Sequence, residues 1–322
     1  MPMDESKCAG ALSGAALHRA CIMKPTATLR VQSVLFNNTP HDVEMALAST
    51  ARATELAVSG GALGGVEVAF GDCSPTPCLS EEQMNDFRRK FPQFLHIHYY
   101  FFNANLGSAL GHNRLLDTCE TDLAMTLNPD VRMSPRALQY LAEPFARGGV
   151  GVTEGRQLPI EHPKDFNRVT GETCWASTAC AMFPMGLARK LRGFDNETFF
   201  LYCDDVDFSW RVRLEGLKVL YLPSATVFHD KRLDRNGGWI SGGAERYFSA
   251  EAGLLLPWKW SRPDLTRNYL DYFDREGDEP MRRAAAEFRR REQAGSLPVP
   301  VDANHRVGEF IGLAYARHRF AI

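Results

Sequence analysis

Three acidic residues fall within four positions, Asp204, Asp205 and Asp207, at the head of the segment DDVDFSWRVRLEG. Acids at a helix start are favoured by the helix dipole and can cap free N–H groups. That accounts for one of the three better than for all of them. Neighbouring carboxylates repel, which raises the pKa of one member. The apolar run FFLYC just before them would bury the pair in part and push the same way. A carboxylate so placed is suited to removing a proton from a hydroxyl.

A second acid stands apart. Asp130 lies within the stretch TLNPDVRMSP, where the apolar run DLAMTL gives out, two residues past Asn128. A turn would explain it. A metal-bound phosphate would explain it better, provided that partners exist elsewhere, because one carboxylate cannot hold a divalent cation. His229 follows the apolar segment SATVF and precedes Asp230. A lone histidine is more often structural, but a carboxylate, an imidazole and diphosphate oxygens would complete a Mn2+ or Mg2+ site.

These residues need elements to hold them. RVQSVLF (30–36), VEVAF (66–70), FLHIHYYFF (94–102) and TDLAMTL (121–127) read as strands. Helices lie between them. Thr39 caps one with Pro40 at its first position, and Ser80 with Gln83 forms a capping box for the next. A glycine-punctuated turn, NANLGSALGHN, leads into a third. Ser134 and Pro135 open RALQYLAEPFARG as a fourth. Alternating strands and helices predict an α/β fold with a mainly parallel sheet flanked by helices. Ligands of such sheets bind beyond the carboxyl ends of the strands. Asn37–Asn38, Asp72–Ser74, Asn103–Asn105 and Asn128–Asp130 all follow strand ends and so share one rim.

The rest of the chain narrows the classes. It has 322 residues, 44% hydrophobic and 24% charged, with a net charge of −2. That is ordinary for a soluble protein and gives no general pull toward nucleic acid. The basic run MRRAAAEFRRREQ reads as a solvated helix face. Eight scattered cysteines without a C-x-x-C pair fit a reduced, cytoplasmic protein, and no apolar run reaches 18 residues. Acidic Asp4 and Glu5 precede the mildly apolar start, which is wrong for a secretory signal. The expected organisation is an extension over 1–28, a catalytic unit over 29–258 and a helical region over 259–322.

Several blocks together resemble glycosyltransferase family 2, the inverting transferases of the GT-A (Rossmann-like) fold. They are NANLGSALGHN, LNPD and GFDNETFFLYCDDVDFSWRVRLEGLKVLYLPSATVFH. The resemblance covers roughly residues 30–230 and is most specific from Gly193 to His229. Within the family it is most similar to the rhamnosyltransferase-like and galactofuranosyltransferase-like branches, which build bacterial surface polysaccharides.

The resemblance implies roles residue by residue. The family's D-x-D falls on Asn128-Pro129-Asp130, so Asp130 would hold a metal on the donor diphosphate, with His229 as a further ligand. The catalytic pair falls on Asp204-Asp205, with Asp205 as the general base. Asn105, Gly107 and Asn113 match a donor-side turn, and Asn37, Asp72 and Asn128 are further donor-binding candidates. Trp175 and Asp207 lie on the acceptor side. The sequence departs from the family at the ends of its first two strands, LFNN and GDCS, so the nucleotide stays open.

The implied partners are a nucleotide-sugar donor, of the dTDP-rhamnose or UDP-sugar type, and a glycan or lipid-linked acceptor. Base and metal residues must then lie on opposite sides of the sugar, so Asp130 and Asp205 are expected not to share a metal. GLLLPWKWSR, aromatic and basic, could rest peripherally on the inner face of a membrane, or pack a helical tail or homo-oligomer; packing is preferred. A rival reading is a nucleotide-sugar or glycan-binding protein without turnover. A nucleotidyltransferase would need a glycine- and lysine-rich phosphate loop, which SVLFNNTP lacks, and no G-x-G-x-x-G marks a dehydrogenase.

Overall fold

The computed structural model describes residues 26–161, 164–230, 235 and 242–317. The first half alternates as expected: β1 (Thr28–Leu35), α1 (Pro40–Ser59), β2 (Gly65–Asp72), α2 (Glu81–Lys90), β3 (Ile97–Phe101), α3 (Gly107–Leu116) and β4 (Leu123–Leu127). The caps are those the sequence marks. Thr39 and Asp42 satisfy each other's backbone at α1, and Ser80 and Gln83 do so at α2.

After β4 come β5 (Val131–Met133), α4 (Ala137–Ala142), β6 (Val150–Leu158), β7 (Glu172–Thr173), β8 (Cys180–Pro184), α5 (Met185–Lys190), α6 (Asp204–Leu214) and β9 (Lys218–His229). One expectation is corrected here. Ser134 and Pro135 do not cap the fourth helix. The Ser134 N–H donates to the Thr226 carbonyl of β9, and α4 begins only at Ala137 with no side-chain cap. It is also short. A 3-10 turn over Glu143–Arg147 replaces its expected second half, where Pro144 cannot donate into an α-helical ladder.

The strand order is β3-β2-β1-β4-β8-β6-β9-β5, with β7 beside β9. β1 to β4 are mutually parallel. β8 runs against both β4 and β6, and β9 runs parallel to β6. β6 and β9 therefore point the same way as β1 to β4, and six strands deliver their carboxyl ends to one rim. This is the mixed, mainly parallel sheet with flanking helices that the sequence implies. Because β8 is reversed, its start lies at that rim too: Cys180 pairs with Leu127, the last residue of β4.

The core divides into several apolar clusters. One joins β1, β2 and β4 to α1, α2 and α4 through residues such as Leu29, Leu47, Phe70 and Leu138. Another joins Trp175, Phe199, Val206 and Trp210 to the C-terminal helices α7 (Gly243–Lys259), α8 (Pro263–Arg275) and α9 (Glu279–Gln293). Leu254, Leu255, Leu256 and Trp260 of GLLLPWKWSR are buried in that second cluster. Trp260 meets Trp210 edge to face at 5.1 Å. Most of that segment is packed into the protein, with Trp258 half-buried. The basic run of α9 is a solvated face: Arg283, Arg289 and Arg290 pair with Glu279, Asp274 and Glu287. The six cysteines among the described residues are free thiols. No helix among the described residues is long and apolar enough to cross a membrane.

Candidate active site

α6 starts from a strained approach. Tyr202 and Cys203 both have positive φ, +67° and +58°, although neither is glycine. Such consecutive left-handed residues persist only where the surroundings hold them. α3 supplies the hold. The Ser108 N–H donates to the Phe200 carbonyl at 3.0 Å. Gly107, at φ +68°, lies so close that an added Cβ would stand 2.2 Å from that carbonyl oxygen. Asn113 clamps the front of the same loop: its amide donates to the Phe194 carbonyl and to Asn196, and accepts from the Phe194 N–H.

The loop sets Asp204 and Asp205 in unequal places. Asp204 is buried, and one of its oxygens has no hydrogen-bond partner. Burial, and then the charge of Asp205, raise its carboxyl from the ordinary range to about 7. Asp205 is half-buried. Burial raises its pKa too, but the Val206 N–H, Lys164 and the Thr178 N–H favour its charged form. Of two repelling carboxyls, the buried one keeps a proton and the reachable one ionises first. Asp205 is thus the member that can meet a substrate hydroxyl as a base. A cavity of about 620 Å³ opens beside Tyr202 and Cys203, walled by Ser249, Leu256, Tyr269 and Phe310.

Asp130 and His229 are brought together by β5 and β9, whose register pairs Val131 with His229. His229 Nε2 stands 3.3 Å from Asp130 Oδ1, with the histidine nearly buried and the aspartate side chain 45% exposed. Behind it, His229 Nδ1 is 2.8 Å from Gln157 Oε1. An amide oxygen accepts only, so Nδ1 carries the hydrogen and Nε2 is the ring nitrogen that faces the carboxylate. The two need a proton or a cation between them. A small divalent ion with ligands at about 2.1 Å fits two donors so spaced. Among the described residues no three His, Cys, Asp or Glu side chains gather in a way that could hold a metal. A cation here would draw its remaining ligands from a bound molecule and water.

The other donor-side candidates divide. Asn37 (φ +56°), Asn105 and Asn128 lie exposed or half-buried at the rim. Asn105 turns its side chain toward the Gly107 N–H. The Asn128 backbone N–H donates to the Ala179 carbonyl, tying β4 to the approach of β8. Asp72 requires correction. It is fully buried and accepts from the N–H groups of Ser74 and Cys78 and from the Tyr99 hydroxyl. Burial raises its pKa, but these bonds outweigh it and leave the carboxyl below its ordinary value. Asp72 shapes the 73–78 loop and has no oxygen left for a nucleotide base. Asn113 is half-buried and its amide engages the 194–196 loop, through which it positions the approach to α6.

The acceptor-side candidates also fall inside the protein. Asp207 is fully buried, paired with Arg211 at 2.8 Å and Lys259 at 2.5 Å, and accepts from the Trp260 indole N–H at 3.1 Å. It joins α6 to α7 and cannot reach an acceptor. Trp175 is 4% exposed. The Lys164 ammonium lies over its ring, 3.1 Å from the centroid, and Tyr315 meets it edge to face. It supports the segment that runs up to Asp205.

Sequence reasoning missed the residues behind these groups: Gln157, Glu154, Lys164 and Ser209. The available signal was the polar TEGRQ inside an otherwise apolar strand, β6. A solvated edge strand would look the same.

No family model matches the chain. Over 253 residues it is 25% identical to the N-acetylglucosaminyl-diphospho-decaprenol L-rhamnosyltransferase of Mycobacterium tuberculosis, in each of two strains, covering 64% of this chain and 77% of the relative. Among solved structures it is similar to a mannosyltransferase from Pyrobaculum calidifontis in complex with GDP-Man and Mn2+. The TM-score is 0.52 at 17% identity, over 84% of this chain and 77% of the other. It is also similar to S. aureus TarS, with a TM-score of 0.50 at 14% identity over 77% of this chain and 44% of that one. The solved structures carry the fold; with the rhamnosyltransferase relative, they support a glycosyltransferase of GT-A architecture.

Proposed function

We propose that this chain is an inverting, metal-dependent glycosyltransferase. It moves a sugar from a nucleoside-diphosphate donor to a hydroxyl of a glycan or lipid-linked acceptor in bacterial surface polysaccharide synthesis. The observation that carries this reading is the inequality of the acid pair: a buried Asp204 that retains a proton beside a half-exposed Asp205 that can take one. The relative named for a decaprenol-linked substrate and the neighbour bound to GDP-Man and Mn2+ support the substrate classes.

Asp205 accepts the proton of the acceptor hydroxyl as the oxygen attacks the anomeric carbon. The new C–O bond forms opposite the bond to the diphosphate, which breaks and takes both electrons, so the configuration inverts. Asp130 and His229 would hold Mn2+ or Mg2+, which neutralises charge developing on the leaving diphosphate. Asn37, Asn105 and Asn128 line the donor side, while the cavity beside Tyr202 and Cys203 receives the acceptor. Residues 29–258 form the catalytic unit on this reading, with 259–322 as a helical region walling the acceptor side. The protein works in the cytoplasm, where nucleotide sugars are made, at the inner face of the membrane when the acceptor is lipid-linked.

The test is transfer from dTDP-rhamnose, UDP-sugars and GDP-mannose, with Mn2+, to an N-acetylglucosaminyl-diphospho-lipid. One donor should give product of inverted anomeric configuration. Asp205→Asn should lose transfer while binding that donor as wild type does. Product of retained configuration, or near wild-type transfer by Asp205→Asn, contradicts the reading.

A further inference from the structure

A buried ion pair lies behind Asp205. Glu154, in the middle of β6, has no exposed surface, and its carboxylate stands 2.9 Å from the Lys164 ammonium, whose side chain is 2% exposed. Removing two opposite charges from water costs several kcal/mol each, so such a pair is weak grounds for stability. Lys164 also donates to the Trp175 carbonyl at 3.1 Å while its ammonium covers the Trp175 ring.

The four residues from Trp175 to Thr178 link this pair to α6. The Trp175 carbonyl takes the Lys164 ammonium. The Ala176 N–H donates to Ser209 Oγ at 3.0 Å, and Ser209 Oγ donates to the Asp205 carbonyl at 2.8 Å. The Ser177 and Thr178 N–H groups of the same segment favour the charged forms of Glu154 and Asp205. One backbone segment therefore touches the ion pair on one side and the base on the other.

We propose that Lys164 is a positioning residue for Asp205: seated on Glu154 and Trp175, its ammonium fixes the Trp175–Thr178 segment against the first turn of α6. This rests on Asp205 acting as the base. The other charged groups around this end of α6 do not do the same work. Asp204 and Asp207 are acids, Cys203 is a buried thiol, and Ser108 of α3 serves Asp204. Lys259 of α7 is engaged by Asp207 and Asp195. Lys164 is the cation acting on Asp205, and its charge lowers a pKa that burial raises. The partner carboxyl, Glu154, is itself pushed up by burial to about 7, against the pull of Lys164. The pair is thus poised and not inert.

The experiment is carboxyl-carbon NMR of the full-length protein labelled at aspartate, with the Asp205→Asn spectrum assigning the Asp205 resonance. No ligand is required. Lys164→Met should raise the Asp205 midpoint by about one pH unit or more, a tenfold change in its acid dissociation. Lys164→Arg should return it to within a few tenths of a unit. Ser209→Ala, a small buried change that folds even where Lys164→Met does not, should raise it by less and in the same direction. An unmoved midpoint in folded Lys164→Met, or in Ser209→Ala if Lys164→Met does not fold, overturns the proposal. The transfer assay with Asp205→Asn fails separately: retained transfer sinks the base reading, whereas lost transfer with an unmoved midpoint sinks only the role of Lys164.

Discussion

Asp130 and Asp205 share a rim of the sheet and differ in their surroundings. The Asp130 side chain is 45% exposed and faces His229 across 3.3 Å. Asp205 is half-buried beside a buried carboxyl, on the turn that follows two left-handed residues. An open carboxylate beside an imidazole suits a cation and its phosphate, because water and ligand can complete the shell. Crowded carboxyls suit a proton, because repulsion and burial raise their affinity for it. On the proposed reading one residue type serves two chemistries through what the fold puts beside it. Asp72 and Asp207 mark the limit of the same rule. Each is fully buried with its oxygens occupied, and does neither.

Breaking the comparison at Asp205 should have the largest effect. Asp205→Asn should lower the transfer rate by about 10³-fold or more, within the range for a lost general base, measured with the donor that supports wild-type turnover. Asp207→Ala should show that an acid two residues along the chain is purely structural. It removes a shared partner of Lys259, Arg211 and the Trp260 indole from the buried end of α6, and should cost about 3–5 kcal/mol in denaturant unfolding. Donor affinity well below its melting temperature should be unchanged.

The proposed metal site can be probed from behind. Gln157→Leu removes the acceptor for His229 Nδ1 and should weaken Mn2+-dependent nucleotide binding about 10- to 100-fold, as losses of a ligand's outer support do. The smallest effect concerns pH and stability. Asp204 has a folded pKa raised to about 7, above its unfolded value. Between the ordinary carboxylate range and that value the folded state binds more protons, so stability falls as pH rises. Asp204→Asn should therefore melt higher than wild type at pH 8, by roughly 2–4 °C per kcal/mol gained, with the difference shrinking toward pH 5. The same raised carboxyls place the acidic limb of transfer above the ordinary carboxylate range, with activity rising as pH rises through it.

Much of the scaffold was legible because its signals are local. Thr39 and Ser80 cap the helices their spacing marks, and alternating segments fix the run of parallel strands. Ser134 misled because its backbone is taken by Thr226, 92 positions on and brought near only by β9. The rim placement of Asp130 and His229 followed from strand ends. Residue type alone did not show which polar groups the protein itself would use. Asp207 is claimed by Lys259 and Trp260, and Asn113 by the 194–196 loop, all far along the chain. Glu154 and Lys164 went unread for the same reason, since nothing in TEGRQ tells a buried ion pair from a solvated edge.

The claim that the two acidic centres do separate work is tested most directly by calorimetric binding of GDP, UDP and dTDP, with and without Mn2+, to wild type, Asp130→Ala and Asp205→Asn. At least one nucleotide should bind wild type more tightly with Mn2+. Asp130→Ala should lose that metal-dependent gain, and Asp205→Asn should keep it in full. Loss of the gain in both variants, or in Asp205→Asn alone, would contradict the division of labour between the open pair and the buried one.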